Sequence, residues 1–273
     1  MDSAATVEWE EAKVSLREVV ERLRVLLCTV GDSSAQALGG WSIAEVAMHL
    51  SQVGVALTGL ARQGEPFIRD IRDLGDLTTS AVESDPERDL TVLADRIEGR
   101  ALEFLGEMAG CAPSEARPWL VKGSTVPLSA LTCHFLNEAI VHGYDIARAA
   151  GQRWPIEPSH AAMVLSRFIV PVLRTLDPRA LVDQTRAAGL RATYDIRIRR
   201  GQRFSFAFAD GELRVEDSWT RRVDCHLSVD PVAFLLVIWG RQSQWPAIAK
   251  GQLTAWGRKP WLGPRLRSLT RNP

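Results

Sequence analysis

HFLNEAIVHGYDIARAAG, running from His134 to Gly151, decides how the first half of this chain is read. It sets two histidines, a glutamate and an aspartate into an otherwise apolar stretch. His134, Glu138 and His142 follow one another at intervals of four, so on a helix they stack turn above turn on one face. The spacing predicts a helix from about Leu128 to Ala150, with Gly151 just past its end, where a left-handed residue closes the last turn. A polar stripe on an apolar helix needs other helices to face it, and bundle interiors are where such stripes become sites.

Three further helices are predicted upstream. Val7 to Val30 repeats apolar residues (Val14, Leu16, Val19, Val20, Leu23, Leu26, Leu27) near the helical period. WSIAEVAMHL opens a second helix that runs to about Arg62. Its Ser42 and Glu45 form S-x-x-E, a capping box in which each side chain takes an orphan backbone N–H of the first turn. Pro86 to Met108 is a third, with Leu90, Leu93, Ile97, Leu102 and Leu105 expected inward. Between them, 64–85 holds one short amphipathic piece, PFIRDIRDL, and a polar linker; CAPSEARPWLVKGSTVP reads as a loop. Four helices of this length pack most simply as a four-helix bundle.

A helix over Pro158 to Leu176 leads away from the bundle, and after Ala187 the pattern alternates. RATYDIRIRR, RFSFAFA and ELRVED read as three antiparallel strands, the last two joined by Asp210-Gly211, a type I′ hairpin signal. VDCHLSV is a fourth strand. Asp230-Pro231 caps and starts a helix through Trp239. A short helical piece, a strand at QLTAW and an amphipathic tail complete an α+β domain with an antiparallel sheet. The organisation expected is a bundle over 1–156, a connecting helix over 157–186 and an α+β domain over 187–273.

Composition narrows the function classes. Hydrophobic residues at 46% and charged residues at 24% suit a globular chain, and 33 basic residues balance 33 acidic ones. A neutral chain has no overall field to draw nucleic acid or an anionic membrane, so neither is expected as a partner. The acidic start, MDSAATVEWEEAK, lacks the apolar core of a secretory signal, and runs such as Ala233 to Trp239 are too short to span a bilayer. Cys28, Cys111, Cys133 and Cys225 form no CxxC pair and read as reduced, buried thiols, consistent with a cytoplasmic protein. No Walker A, Rossmann or G-x-S-x-G pattern is present.

Chemistry concentrates on the polar stripe. Glu138 and His142 offer two donors from one helix face, and His49, flanked by Val46, Ala47 and Leu50 on the second helix, is the candidate third. A His2Glu set suits zinc or a similar divalent ion and leaves a coordination position open. Glu45 is placed to orient His49, and Asp145 to orient His142 unless it pairs with Arg148 at the surface. His134 reads as a pocket-wall residue. His160 and His226 have no evident partners.

The motifs W-S-x-x-E-V-x-x-H on the second helix and E-x-x-x-H-x-x-D-I-A-R-A-x-G on the fourth resemble the mycothiol-dependent maleylpyruvate isomerase family, within the DinB/YfiT-like metalloprotein superfamily. The resemblance covers about residues 7–160 and implies a DinB-like four-helix bundle holding a divalent metal, usually Zn2+, on His49, Glu138 and His142. LLVIWGRQSQWPAIAKGQLTAWG is similar to sterol-carrier-protein-2 (SCP2)-like domains, which occur behind such bundles.

The resemblance further implies mycothiol, a low-molecular-weight thiol, as a cofactor. A free thiol has a pKa near 8.5, and holding it ionised at neutral pH costs about 2 kcal/mol; metal coordination removes that cost. The thiolate would attack a small electrophilic substrate, giving isomerisation or S-transfer; hydrolysis by a bound water suits the same triad. An acidic substrate would also need cations, for which Arg221, Arg222 and Arg241 are candidates. A different class stays open: the tryptophan-rich C-terminal domain (Trp219, Trp239, Trp245, Trp256, Trp261) could hold a lipid or other hydrophobic ligand, with the metal structural or vestigial. Core packing is the plainer reading of those rings. The sequence leaves substrate and oligomeric state open.

Overall fold

The structure is a computed structural model that describes residues 3–216 and 222–271. The chain divides into two compact units, 1–156 and 157–273, and the segment 157–186 packs within the second.

In the first unit the elements run α1 (Ser3–Thr29), a small hairpin of β1 (Gln36–Leu38) and β2 (Trp41–Ser42), α2 (Ile43–Ala61), α3 (Leu74–Ser84), α4 (Leu90–Glu107), a second hairpin of β3 (Ala116–Pro118) and β4 (Thr125–Pro127), and α5 (Leu128–Ala149). Helices α1, α2, α4 and α5 form the bundle, each packed on two others, so that α2 and α5 lie side by side. The α1 stripe is Trp9, Ala12, Leu16, Val19, Val20, Leu23, Leu26 and Leu27, all buried. Val14 faces solvent instead, as does Leu102 on α4, where Ala101 and Phe104 take the inward positions that the 3.6 period sets from Ile97.

Helix α2 begins on the expected capping box: Ser42 Oγ accepts from the Glu45 N–H at 3.3 Å, and the Glu45 carboxylate accepts from the Ser42 N–H at 2.7 Å. This helix is long and apolar enough to cross a membrane, but most of it is buried in the bundle. At Gly54 an added Cβ would lie 2.6 Å from Arg100 Cβ, so the missing side chain is what lets α2 and α4 approach so closely. Helix α5 ends in a Schellman turn, with the Gln152 N–H on Ala147 O at 2.8 Å, the Gly151 N–H on Arg148 O at 3.2 Å, and Gly151 at φ +66°.

The second unit starts with a helix that the sequence presents as continuous. It is interrupted: α6 (Pro158–Val164) and α7 (Val170–Thr175) flank a π-turn over 165–169, beside Pro171, which has no N–H to donate. Strands β5 (Ala192–Ile198), β6 (Arg203–Ala209), β7 (Glu212–Glu216), β8 (Cys225–Val229) and β9 (Leu253–Trp256) form one sheet in the order β7-β6-β5-β8-β9. All neighbours are antiparallel except β5 and β8, which pair in parallel from Tyr194↔Cys225 to Ile198↔Val229. The sheet is thus antiparallel in the main, as expected, and the one parallel pair is a long-range partnership that alternation does not indicate. Asp210 and Gly211, at φ 55° and 78°, make the tight β6–β7 turn. Helices α8 (Pro231–Ile238) and α9 (Gln244–Ala249) lie between β8 and β9 in the chain.

One face of this sheet is apolar (Tyr194, Ile196, Phe204, Phe206, Leu227, Val229); the other carries a polar row. There Asp195 is fully buried, its oxygens taken by Arg203 at 2.8 and 2.9 Å, Arg197 at 2.9 Å and His226 Nδ1 at 2.6 Å. His226 in turn stacks on Trp256. Three tryptophans read as core are not in it: Trp245, Trp256 and Trp261 are 62%, 41% and 63% exposed. Trp219 lies outside the described residues. Cys28 is exposed and Cys111 half-buried, so only Cys133 and Cys225 are the buried thiols expected.

Ser42→Ala deletes one half of the capping box and should lower unfolding stability by about 1 kcal/mol, read as a lower urea midpoint. Asp195→Asn removes the negative charge that two guanidinium groups and an imidazole share and should cost about 2 kcal/mol at neutral pH. Burial raises the Asp195 pKa, but Arg203, His226 and Arg197 reverse this and leave it below the ordinary carboxylate value. Its contribution is therefore present above the unfolded carboxylate pKa and lost as pH falls through the lower folded one. The stability gap between parent and variant should narrow below about pH 4.

Candidate metal centre

Helices α2 and α5 bring His49, Glu138 and His142 together inside the bundle. One ligand atom from each lies within 4.8 Å of the others, and all three residues are buried. His49 Nε2 and His142 Nε2 each stand 3.3 Å from the same oxygen, Glu138 Oε2. The two imidazoles meet edge to face with ring centres 4.9 Å apart. Trp41, delivered by the first hairpin, sits 5.3 Å from the His49 ring and helps to wall the site.

Around the three lies a set of orienting contacts. Asp145, fully buried, bonds His142 Nδ1 at 3.1 Å, which leaves Nε2 as the nitrogen aimed at the cluster. Arg148 goes to the Ala37 carbonyl at 3.3 Å, so Asp145 is no surface ion pair. The expected contact of Glu45 with His49 is corrected: Glu45 Oε2 is used by the Ser42 N–H and hydroxyl, and among the described residues it makes no hydrogen bond to His49. His134 is buried one turn before Glu138, with its Nε2 3.6 Å from Glu138 Oε1. Asn137 Nδ2 donates to that oxygen at 3.1 Å. Trp119 Nε1 donates to His134 Nδ1 at 3.4 Å. Sequence reasoning missed Asn137 and Trp119; the i−1 position and a tryptophan inside a proline-rich loop carry no periodic signal.

Burial and these contacts set the charges of the cluster. Burial pushes the Glu138 carboxyl up, but His134, His142 and His49 outweigh it and hold it well below the usual carboxylate range. Burial lowers His49, aided by neighbouring His142, against a smaller opposing pull from Glu138. Burial also acts downward on His142, where Asp145 and Glu138 overcome it and push the pKa up to about 9. An ionised carboxylate thus faces one imidazole that burial holds toward the neutral form and one that two carboxylates hold toward the protonated form. A divalent ion would replace that proton, since ligating imidazoles must be neutral.

The residues fit such an ion on their own chemistry. Two imidazole nitrogens and a carboxylate oxygen converge, the carboxylate is ionised, and one imidazole has a carboxylate behind it; three protein donors leave a position for water or a thiol. Of the arginine candidates, Arg222 is exposed and Arg241 donates to the Trp239 carbonyl at 2.7 Å, both in the second unit, while Arg221 lies outside the described residues.

A helical bundle with a buried His2Glu cluster thus precedes a separate α+β unit. Residues 15–147 match the family described as mycothiol maleylpyruvate isomerase N-terminal domain, and residues 173–257 match the SCP-2 sterol transfer family. The two matches fall on the two compact units in turn, each over less than half of the chain. Among solved structures it is similar to a mycothiol-dependent maleylpyruvate isomerase, with 13% identity, a TM-score of 0.54, and coverage of 90% of this chain and 92% of that one. A mutant of an enzyme so titled gives 12% identity and a TM-score of 0.53 at the same coverage. At such identities the likeness speaks for the fold. A comparison with curated proteins finds no match.

Asp145→Asn keeps the shape but removes the charge behind His142. It should weaken zinc affinity about 10- to 100-fold, measured by competition with a chromophoric chelator, with far-UV circular dichroism unchanged.

Proposed function

We propose that the protein is a mycothiol-dependent enzyme of the maleylpyruvate isomerase type, which uses a thiol held as thiolate at the His49–Glu138–His142 centre to act on a small electrophile. The observation that carries this is the convergence of two Nε2 atoms and Glu138 Oε2 from neighbouring helices, in a buried site. The family match supports the thiol and a small-molecule substrate.

Each side chain then has a task. His49, Glu138 and His142 hold the divalent ion, most simply Zn2+. When bound, that ion supplies the positive charge that keeps a thiol ionised at neutral pH. Asp145 keeps His142 turned with Nε2 inward. Trp41 and the surrounding apolar helices limit water, which raises the reactivity of an anionic sulfur. A thiol held there as thiolate would supply the nucleophile for reversible addition to a conjugated double bond, as isomerisation requires, or for displacement of a leaving group, as S-transfer requires. A free thiol cofactor fits a reducing, cytoplasmic setting, in which the chain's own cysteines stay unpaired.

A second reading rests on a separate observation. The C-terminal unit contains an apolar cavity of about 110 Å3, lined by Phe206, Leu227, Phe234, Val237 and Ile248 among others. It favours a carrier of a hydrophobic ligand, with the metal centre structural.

Elemental mass spectrometry on the untagged protein and its His142→Ala variant tests the first reading. About one zinc per chain is expected in the parent, with little in the variant. Thiol-dependent turnover of a conjugated electrophile by the parent alone would complete the case. No metal after reconstitution, together with co-purified lipid, would move the carrier reading forward.

A further inference from the structure

The two oxygens of Glu138 have different surroundings. Oε2 faces the imidazoles of His49 and His142, at 3.3 Å from each. Oε1 points the other way, to Asn137 Nδ2 at 3.1 Å and His134 Nε2 at 3.6 Å. Behind His134 stands Trp119, whose indole nitrogen is 3.4 Å from Nδ1. An indole N–H only donates. His134 Nδ1 therefore accepts, and a neutral His134 carries its proton on Nε2, the atom that faces Glu138 Oε1.

We propose that Trp119 and His134 are positioning residues that hold Glu138 to a single ligating oxygen, Oε2, and so keep one coordination position open for the thiol. The inference rests on the thiolate reading given above. A carboxylate can grip a divalent ion through one oxygen or two. Using the second oxygen here would require Oε1 to turn away from Asn137 and His134. Asn137 Nδ2 holds Oε1 by a hydrogen bond and the His134 ring stands behind it at 3.6 Å, so a bound ion would receive three protein atoms, which would leave the next position to a thiol. Without these two side chains the carboxylate is free to chelate, filling the space that the thiol needs. Loss of His134 should therefore spare the metal and harm the thiol. A residue that merely supported the fold would not separate the two.

The test uses cobalt(II) in place of zinc in the full-length protein, because cobalt's visible absorption is strong in four-coordinate sites and falls as further ligands join. N-acetylcysteine is the thiol probe, followed by the sulfur-to-cobalt charge-transfer band in the near ultraviolet. His134→Phe should still bind about one cobalt, show weaker visible absorption than the parent, and lose about tenfold or more in thiol affinity. Trp119→Phe, which removes one N–H from a similar ring, should move both readouts in the same direction by less. His134→Gln restores an N–H donor and should recover much of the parent behaviour. Parent-like spectrum and thiol affinity in metal-loaded His134→Phe would overturn the proposal, as would loss of the metal from that variant and from Trp119→Phe when both remain folded. A parent that binds no cobalt would instead defeat the reading on which the inference rests.

Discussion

An ionised carboxylate in the middle of a helical bundle is the constraint to which the rest of the first unit answers. Desolvating Glu138 is costly, and a buried charge persists only if partners surround it. Helix α5 supplies His134 one turn before it and His142 one turn after, and α2 supplies His49 from across the interface. That requirement fixes which face of α5 is turned toward α2. It also accounts for the outer polar contacts, since Asp145 and Trp119 each engage an imidazole that touches the carboxylate. The capping box at Ser42 starts α2 seven residues before His49 and so sets the rotation at which that imidazole enters.

The second unit solves a related problem differently. Asp195 is as buried as Asp145, yet its cover consists of long arginine side chains and an imidazole on the open face of a sheet. One carboxylate there organises three strands, because Asp195 and Arg197 lie on β5, Arg203 on β6 and His226 on β8. Such a network specifies register: a one-residue slip of β8 would turn His226 to the apolar face.

How much of this was legible varied with the kind of signal. The four bundle helices and the pairing of Glu138 with His142 could be read because helical periodicity places residues four apart on one face; His49, on another helix, entered as a candidate donor and through the family resemblance. The rotation of α4 was read less well, since Leu102 is as apolar as Leu105 while Ala101, the residue that is buried, signals weakly. Helix α3 hid behind Gly75, Thr78, Thr79 and Ser80, poor helix formers held by packing on α2. The hairpin that delivers Trp119 hid behind its prolines, although its three-pair register keeps Pro118 and Pro127 at the ends. The parallel partnership of β5 and β8 was invisible because strand order is a long-range property. Glu45 shows the limit of spacing arguments: four residues from His49 put it on the correct side of the helix, but Ser42 offered it two donors nearer at hand.

Position along the chain gives the cluster one further property. His49 and Glu138 are 89 residues apart. All the cysteines are free, so no covalent link holds the bundle closed. A cation bridging these side chains is then a reversible staple across a long loop, and closing a long loop removes more disorder from the unfolded chain than closing a short one. Three donors coexist only once α2 and α5 lie side by side, so such a bridge would require the packed helices first. Were such an ion bound, the same atoms would link the stability of the unit to the supply of metal, and its loss would be felt first where α2 meets α5.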